Sequence, residues 1–426
     1  MRLRHGLHLA YCTNIHRGES WASTMESLKR YTLAVKENVC PAGPYAIGLR
    51  LGMEAAATLA DQATRDTFKA WLERNHCYVF TINGFPYGQF HGTKVKEQVY
   101  RPDWTTSERV EYTKLLFEIL ADIAQPWAGG SVSTMPCSFK AFGSGPEREA
   151  VMRANLWDCV EYIDRLAQRT GLDLHLGLEP EPLCYLETSD ETIQFLERMK
   201  ADRPGDTRLS KRLGINYDTC HLAIEFEDAS AGLARLRDAG VRISKIHLSS
   251  ALKAVPSPAV RRVLAGFQEE VYLHQVVVRD RNRSLRRYKD LPDALAAEPA
   301  EPWQGHEWRI HFHVPLHSRP ASFFDPTTDR HQLDLGGSVA LRLVDGTQEE
   351  LLGTLSFLAK NPGICTHLEM ETYTWEVLPP ELKVRNVADQ LVAEYDWTLD
   401  RLEDHGFSVE AEPPRDQSGA ARPNDV

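Results

Sequence analysis

Short apolar runs alternate along the chain with longer stretches in which apolar residues recur every three or four positions. That is the pattern of strand–helix units feeding a parallel sheet. Strands are expected over residues 6–13, 45–51, 77–82, 131–135, 174–178, 214–217, 241–246 and 364–370. Helices are expected over 20–39, 55–74, 107–124, 147–170, 188–200, 229–239, 338–361 and 387–404. Local signals support several boundaries: Ser20 as a cap with Pro41 beyond the helix end, Gly171 as a C-terminal stop, and Asp190 and Glu191 in a first turn. Eight such units predict an α/β protein, a (β/α)8 TIM barrel.

The alternation breaks after strand seven. Residues 252–308 hold a strand-like run at 271–278, polar turns and a Pro-rich stretch at 292–302. This long insertion is expected on the catalytic face, as a lid or binding loop. One barrel domain is expected over 1–408, with 252–308 set into it. The tail, 409–426, is poor in apolar residues and is expected to be disordered.

Composition narrows the partners. Of 426 residues, 42% are hydrophobic and 26% charged, as in ordinary globular chains. No apolar run approaches the roughly 20 residues of a membrane span. The basic start, Met-Arg-Leu-Arg-His-Gly-Leu-His-Leu, lacks the apolar stretch of a signal peptide. A net charge of −11 argues against nucleic acid, whose binders carry a basic excess. The one dense basic run, Arg279, Arg281, Arg283, Arg286 and Arg287, reads as solvated surface. Eight cysteines, none in a Cys-x-x-Cys pair, suggest reduced thiols and a cytoplasmic protein.

The chemistry lies where strands end. Leu-His-Leu-Gly-Leu leads to Glu179, Leu-Gly-Ile-Asn-Tyr to Asp218, and Arg-Ile-Ser-Lys-Ile to His247, while Ile-Cys-Thr-His-Leu precedes Glu369 and Glu371. A lone Glu after a strand is usually an ion-pair partner, and a lone strand His is usually a core residue. Four ligand types at four strand ends, in order, predict one divalent ion, Mn²⁺, Co²⁺, Mg²⁺ or Zn²⁺, held by Glu179, Asp218, His247 and Glu371. Such an ion leaves room for two oxygens of a hydroxy-ketone. Glu179 and Glu371 would then act as the catalytic pair, one taking a proton from one face and the other returning it on the opposite face. Epimerisation and aldose–ketose isomerisation both need this.

Glu369 and Glu371 share a strand face, so the ligand choice between them stays open. Each of Glu179 and Glu371 lies eight residues beyond a turn glycine, Gly171 and Gly363, a register that favours Glu371 at the rim and Glu369 one layer deeper. It also sets His175 and His367 inside the barrel, as satisfied core histidines. Substrate contacts are expected from Asn83 in the turn-rich 83–88 loop, from Glu181, His221, His274, His311 and His313, and from Glu369. His221, three residues past Asp218, suits contact with substrate or with a second metal. His311 and His313 face one side together.

The ordered set Glu179, Asp218-x-x-His221, His247 and Glu371 resembles the xylose isomerase-like TIM barrels, which include sugar-phosphate isomerases, ketose epimerases and AP endonucleases. Finer motifs resemble the EboE family of metabolite-traffic proteins. They are Tyr11-Cys-Thr-Asn14, Asn83-Gly-Phe-Pro-Tyr-Gly88, Leu178-Glu-Pro-Glu-Pro182, Tyr272-Leu-His-Gln275, His311-Phe-His-Val-Pro315 and His367-Leu-Glu-Met-Glu-Thr-Tyr-Thr-Trp375. The resemblance implies metal ligation by Glu179, Asp218, His247 and Glu371, acid/base roles for Glu179 and Glu371, and substrate contact by His221. It also implies a pathway role beside proteins of the same gene cluster, and pairing into a homodimer. The expected function is therefore a metal-dependent isomerase or epimerase of a small polyhydroxy or keto metabolite. The alternatives are a non-catalytic metabolite-binding protein and, less favoured given the acidic balance, a metal-dependent phosphodiesterase or AP endonuclease.

Overall fold

The computed structural model describes residues 1–92, 94–297, 304–317, 344–379, 383 and 385–410. The expectations for 298–302, 338–343 and most of the tail lie outside these residues. The two-residue strand β1 (Arg2–Leu3) pairs antiparallel with β2 (Leu7–Tyr11). Then come β3 (Tyr45–Arg50), β4 (Cys77–Asn83), β5 (Gly130–Thr134), β6 (Leu174–Leu178), β7 (Leu213–Asp218) and β8 (Arg242–Leu248). After a long excursion the chain returns as β14 (His367–Met370), which lies parallel between β2 and β8. Strands β3 to β8 pair in sequence order, all parallel, and a parallel bridge between Cys12 and Gly48 joins the first barrel strand to the second. The eight parallel strands thus form the (β/α)8 barrel read from the sequence.

The excursion is a second sheet. Strands β9 (Leu252–Ala254), β10 (Val276–Arg279), β11 (Leu285–Tyr288), β12 (Glu307–Ile310) and β13 (Val344–Gly346) lie in the order β11-β10-β12-β9-β13, all antiparallel. It reaches past residue 308 to Gly346, and only the last three residues of the 271–278 run are strand.

Two expected helices are broken. The 20–39 helix is interrupted by a wide turn over Leu28–Thr32, whose Thr32 hydroxyl lies 2.6 Å from the buried Tyr11 hydroxyl. The 55–74 helix is two, Met53–Leu59 and Gln62–Arg74, because Asp61 caps the second by accepting from Thr64 N at 2.8 Å. The helix expected from 338 runs over Gln348–Lys360.

Branched apolar side chains fill most barrels of this type, but this interior is polar. His367 bonds Ser131 Oγ at 2.8 Å and the Ala128 carbonyl at 2.9 Å, and His175 lies 2.5 Å from Ser244 Oγ, so both are satisfied core histidines. One layer higher, Lys245 Nζ donates to Ser133 Oγ at 2.9 Å and to Glu369 Oε2 at 2.6 Å. Gly48 makes room for this pair, since a Cβ there would stand 2.0 Å from Glu369 Oε1. Polar side chains therefore stack up the barrel axis toward the carboxyl ends of the strands.

The last helix, Val387–Asp404, buries Leu391, Tyr395 and Leu402 against the barrel, and with them Glu394. Glu394 accepts from Thr372 Oγ1 at 3.1 Å and Gln390 Nε2 at 3.1 Å, and burial pushes its pKa up to about 7. The folded value lies above the ordinary one, so its contribution to stability is complete below about 4.5 and is lost as pH rises through 7. Glu394→Gln should match the parent at pH 4. At pH 8 it should be more stable by about 2–3 kcal/mol, as read from urea midpoints.

Candidate metal centre and active site

Four side chains from four strand ends meet above the Lys245 layer. Donor atoms of Glu179, Asp218, His247 and Glu371 all lie within 4.8 Å of one another, and all four residues are buried. Each is delivered by a short strand: Glu179 directly follows β6, Asp218 ends β7, His247 is the penultimate residue of β8, and Glu371 follows β14, its amide bonded to the Leu248 carbonyl at 3.0 Å.

His247 is the hub. Its Nε2 donates to Glu369 Oε2 at 2.8 Å, which turns Nδ1 toward Glu179 Oε1 at 3.0 Å, Glu371 Oε2 at 3.0 Å and Asp218 Oδ2 at 3.4 Å. Asn216 Nδ2 stands 3.2 Å from the same nitrogen. Burial disfavours the imidazolium, yet the carboxylates, Glu371 foremost, outweigh it and raise the His247 pKa well above its ordinary value. Glu369 is held down to about 2: burial opposes its charge, but Lys245 and His247 more than compensate.

These residues fit a divalent cation. Glu179 Oε2 and Asp218 Oδ2 are buried and have no hydrogen-bond partner, an expensive state unless something positive faces them. Asp218 Oδ1, by contrast, is fully used by Cys220 N at 2.7 Å, His221 N at 3.1 Å and Ser249 Oγ at 2.5 Å, which aims Oδ2 at the cluster. A histidine whose far nitrogen is anchored by a carboxylate is the usual support for a metal ligand.

A second donor group adjoins the first. His221 and His313 each direct Nε2 to within 3.1 Å of His311 Nε2. The Nδ1 atoms face acceptors: the Pro180 carbonyl at 3.1 Å, Gln275 Oε1 at 2.7 Å and the Glu371 carbonyl at 3.0 Å for His221, His311 and His313 respectively. With hydrogens on Nδ1, three Nε2 lone pairs converge. Asp218, His221 and His313 form a compact donor set, so the expectation of one ion accounts for the carboxylate-rich set alone.

A cavity above the cluster is lined by Glu179, Glu371, Asn14, Asn83, Glu181, His221 and His311 among its polar residues. Asn83 anchors Glu371, donating to Oε1 at 3.0 Å, and Asn14 does so at 2.7 Å. Glu181 accepts from Tyr100 at 2.5 Å and Gln275 at 2.9 Å. Burial, with Glu179 and Asp218 nearby, pushes its pKa up to about 8.

Two of the residues expected to contact substrate lie outside the cavity lining. Glu369 does not line the cavity; it sits beneath His247, one layer down. His274 also stands outside the lining, with its ring stacked on Phe312 and its nitrogens bonded to the His311 carbonyl at 2.7 Å and Glu269 Oε1 at 2.8 Å. His313 lies behind His311. Asn14, Tyr100, Lys245 and Tyr373 carry no role in the sequence reading. Lys245 could have been found, since it shares strand parity with His247; Tyr100 lies in a loop that no periodicity marks. In the basic run, Arg279 pairs with Glu307 and Arg287 with Glu225, while Arg281, Arg283 and Arg286 are exposed. All eight cysteines are free, and no helix among the described residues is long and apolar enough to cross a membrane.

Fold and site together define a (β/α)8 barrel with a buried carboxylate–histidine centre at the carboxyl ends of its strands. Similar solved structures are xylose isomerase-like barrels. A xylose isomerase domain protein from Planctomyces limnophilus is 12% identical, with 94% of this chain and 98% of that chain covered and a TM-score of 0.47. An L-ribulose 3-epimerase is 13% identical over 95% and 96%, at 0.46. An AP endonuclease, family 2, from Brucella melitensis is 14% identical over 57% and 78%, at 0.34. No protein-family model and no curated protein matches the chain.

Proposed function

We propose that this chain is a metal-dependent isomerase or epimerase of a small hydroxy-ketone, working in the cytoplasm in a metabolite-traffic or precursor-export pathway of the EboE kind. The observation that carries the reading is the pair Glu179 and Glu371. They reach the same His247 nitrogen, each at 3.0 Å, from separate strand ends, and both line the cavity. The EboE-like motifs support the pathway context and gene-cluster partners.

Glu179, Asp218, His247 and Glu371 would hold one divalent ion, which when bound supplies a positive charge that polarises a ketone and acidifies its neighbouring C–H. The carboxylates do the proton work. One removes the proton from the carbon beside the carbonyl; the other returns a proton to the opposite face, for epimerisation, or to the adjacent carbon, for isomerisation. Asn14 and Asn83 fix Glu371 through Oε1 and leave Oε2 to act. Glu181, held by Tyr100 and Gln275, lines the cavity beside them and can contact a substrate oxygen.

The test is solvent exchange. Purified protein supplied with Mn²⁺ should wash deuterium from D₂O into the carbon-bound positions of dihydroxyacetone or a ketose faster than Mn²⁺ alone. No exchange across a panel of hydroxy-ketones would sink the catalytic reading and favour a second one, a carrier that binds a metabolite without converting it. The feature behind that alternative is the second sheet, since the segment before β10 supplies Tyr272 and Leu273 to the cavity wall and the end of β12 leads to His311 there.

A further inference from the structure

The cavity lining is chemically mixed. Beside the carboxylates, amides and imidazoles of the metal centre, its lining includes Phe85, Phe90, Val99, Tyr272, Leu273 and Tyr373, with the Tyr373 ring 4.7 Å from that of His313. Three of these rings form a closed aromatic cluster, with centroids of Phe90 and Tyr272 5.1 Å apart, Phe90 and Tyr373 5.3 Å, and Tyr272 and Tyr373 5.2 Å. They come from three separate segments, the loop after β4, the segment before β10 and the turn after β14, so no single local sequence demands the cluster.

Polar atoms beside these side chains are engaged elsewhere. Lys96 Nζ is bound by Asp290 Oδ2 at 2.7 Å and by the carbonyls of Tyr272 at 2.6 Å and Glu269 at 3.0 Å. The Tyr100 hydroxyl serves Glu181, and that of Tyr373 lies 3.4 Å from His311 Nε2. Apart from the Tyr272 hydroxyl, this wall offers rings and alkyl groups. A free sugar carries hydroxyls around its whole skeleton, and those facing this wall would lose water without gaining partners.

We infer that the substrate is not a free sugar but a hydroxy-ketone bearing an apolar substituent, seated against the Phe90–Tyr272–Tyr373 cluster. This rests on the proposed metal-bound hydroxy-ketone head and adds what lies behind that head.

Two probes share the head and differ only behind it: dihydroxyacetone and 2-hydroxyacetophenone. Calorimetry on the Mn²⁺-supplied protein should give 2-hydroxyacetophenone a Kd at least about tenfold lower, the effect of burying a ring. Phe90→Ala and, separately, Leu273→Asn should shrink that ratio several-fold with the dihydroxyacetone Kd unchanged. A ratio near one, or tighter dihydroxyacetone, overturns the inference, as does failure of both probes to bind. Should the advantage persist with both affinities indifferent to EDTA, the apolar wall stands and the metal-bound head falls.

Discussion

Glu179→Gln and Glu371→Gln should each lower solvent-proton exchange into a bound hydroxy-ketone by about a thousandfold, within the range of a lost general acid or base. The exchange is with Mn²⁺ at saturation, so that weakened metal binding does not masquerade as lost proton transfer. The substitution keeps size and shape and removes the basic oxygen. At position 371 the amide oxygen can still accept from Asn14 and Asn83, which hold the native Oε1 at 2.7 and 3.0 Å. At position 179 the orphaned Oε2 becomes the critical atom. Normal exchange in both variants would show that these carboxylates are not the proton-handling pair.

Lys245→Met should destabilise the fold by about 3–5 kcal/mol, the cost of breaking a buried ion pair from one side. Lys245 and Glu369 are buried and 2.6 Å apart at the barrel's centre, and Glu369 also carries His247 on the same oxygen at 2.8 Å. Removing the ammonium leaves a carboxylate that water cannot reach. The double variant Lys245→Met/Glu369→Gln should recover most of the loss in urea midpoint, because it removes the unpaired charge. It should not fully recover metal affinity, since a neutral amide replaces the carboxylate that anchors His247; second-layer losses of this kind cost about 10–100-fold. An unchanged midpoint in Lys245→Met would mean that the pair does not organise the barrel.

The barrel was legible because most of its strands are short apolar runs followed by helices, several with a stop or cap of their own. The four-ligand cluster was legible for a related reason: strand ends in a barrel converge, so Glu179, Asp218 and His247 need only the strand assignment to be placed together. Strand parity and the distance from Gly363 were enough to put Glu371 at the rim and Glu369 below it. What stayed hidden depends on loops and on contacts distant in sequence. Tyr100 meets Glu181 across 81 residues, and Gln275 meets it across 94. Asn14 meets Glu371 across 357. The partners of His274 are of the same kind: its ring stacks on Phe312 and its nitrogens bond Glu269 and the His311 carbonyl. The aromatic cluster has no signature at all, being assembled from three segments.

The central claim is that Glu179, Asp218, His247 and Glu371 hold a divalent ion. The most direct measurement is the metal content of the purified chain by plasma mass spectrometry, beside the variant Asp218→Ala/His247→Ala. The account predicts one divalent ion per chain at this centre, absent from the double variant; any further ion removed by His313→Ala alone belongs to the three-histidine set. A parent chain that holds no ion after reloading with Mn²⁺, Co²⁺ and Zn²⁺, or a double variant that keeps its full complement, would contradict it.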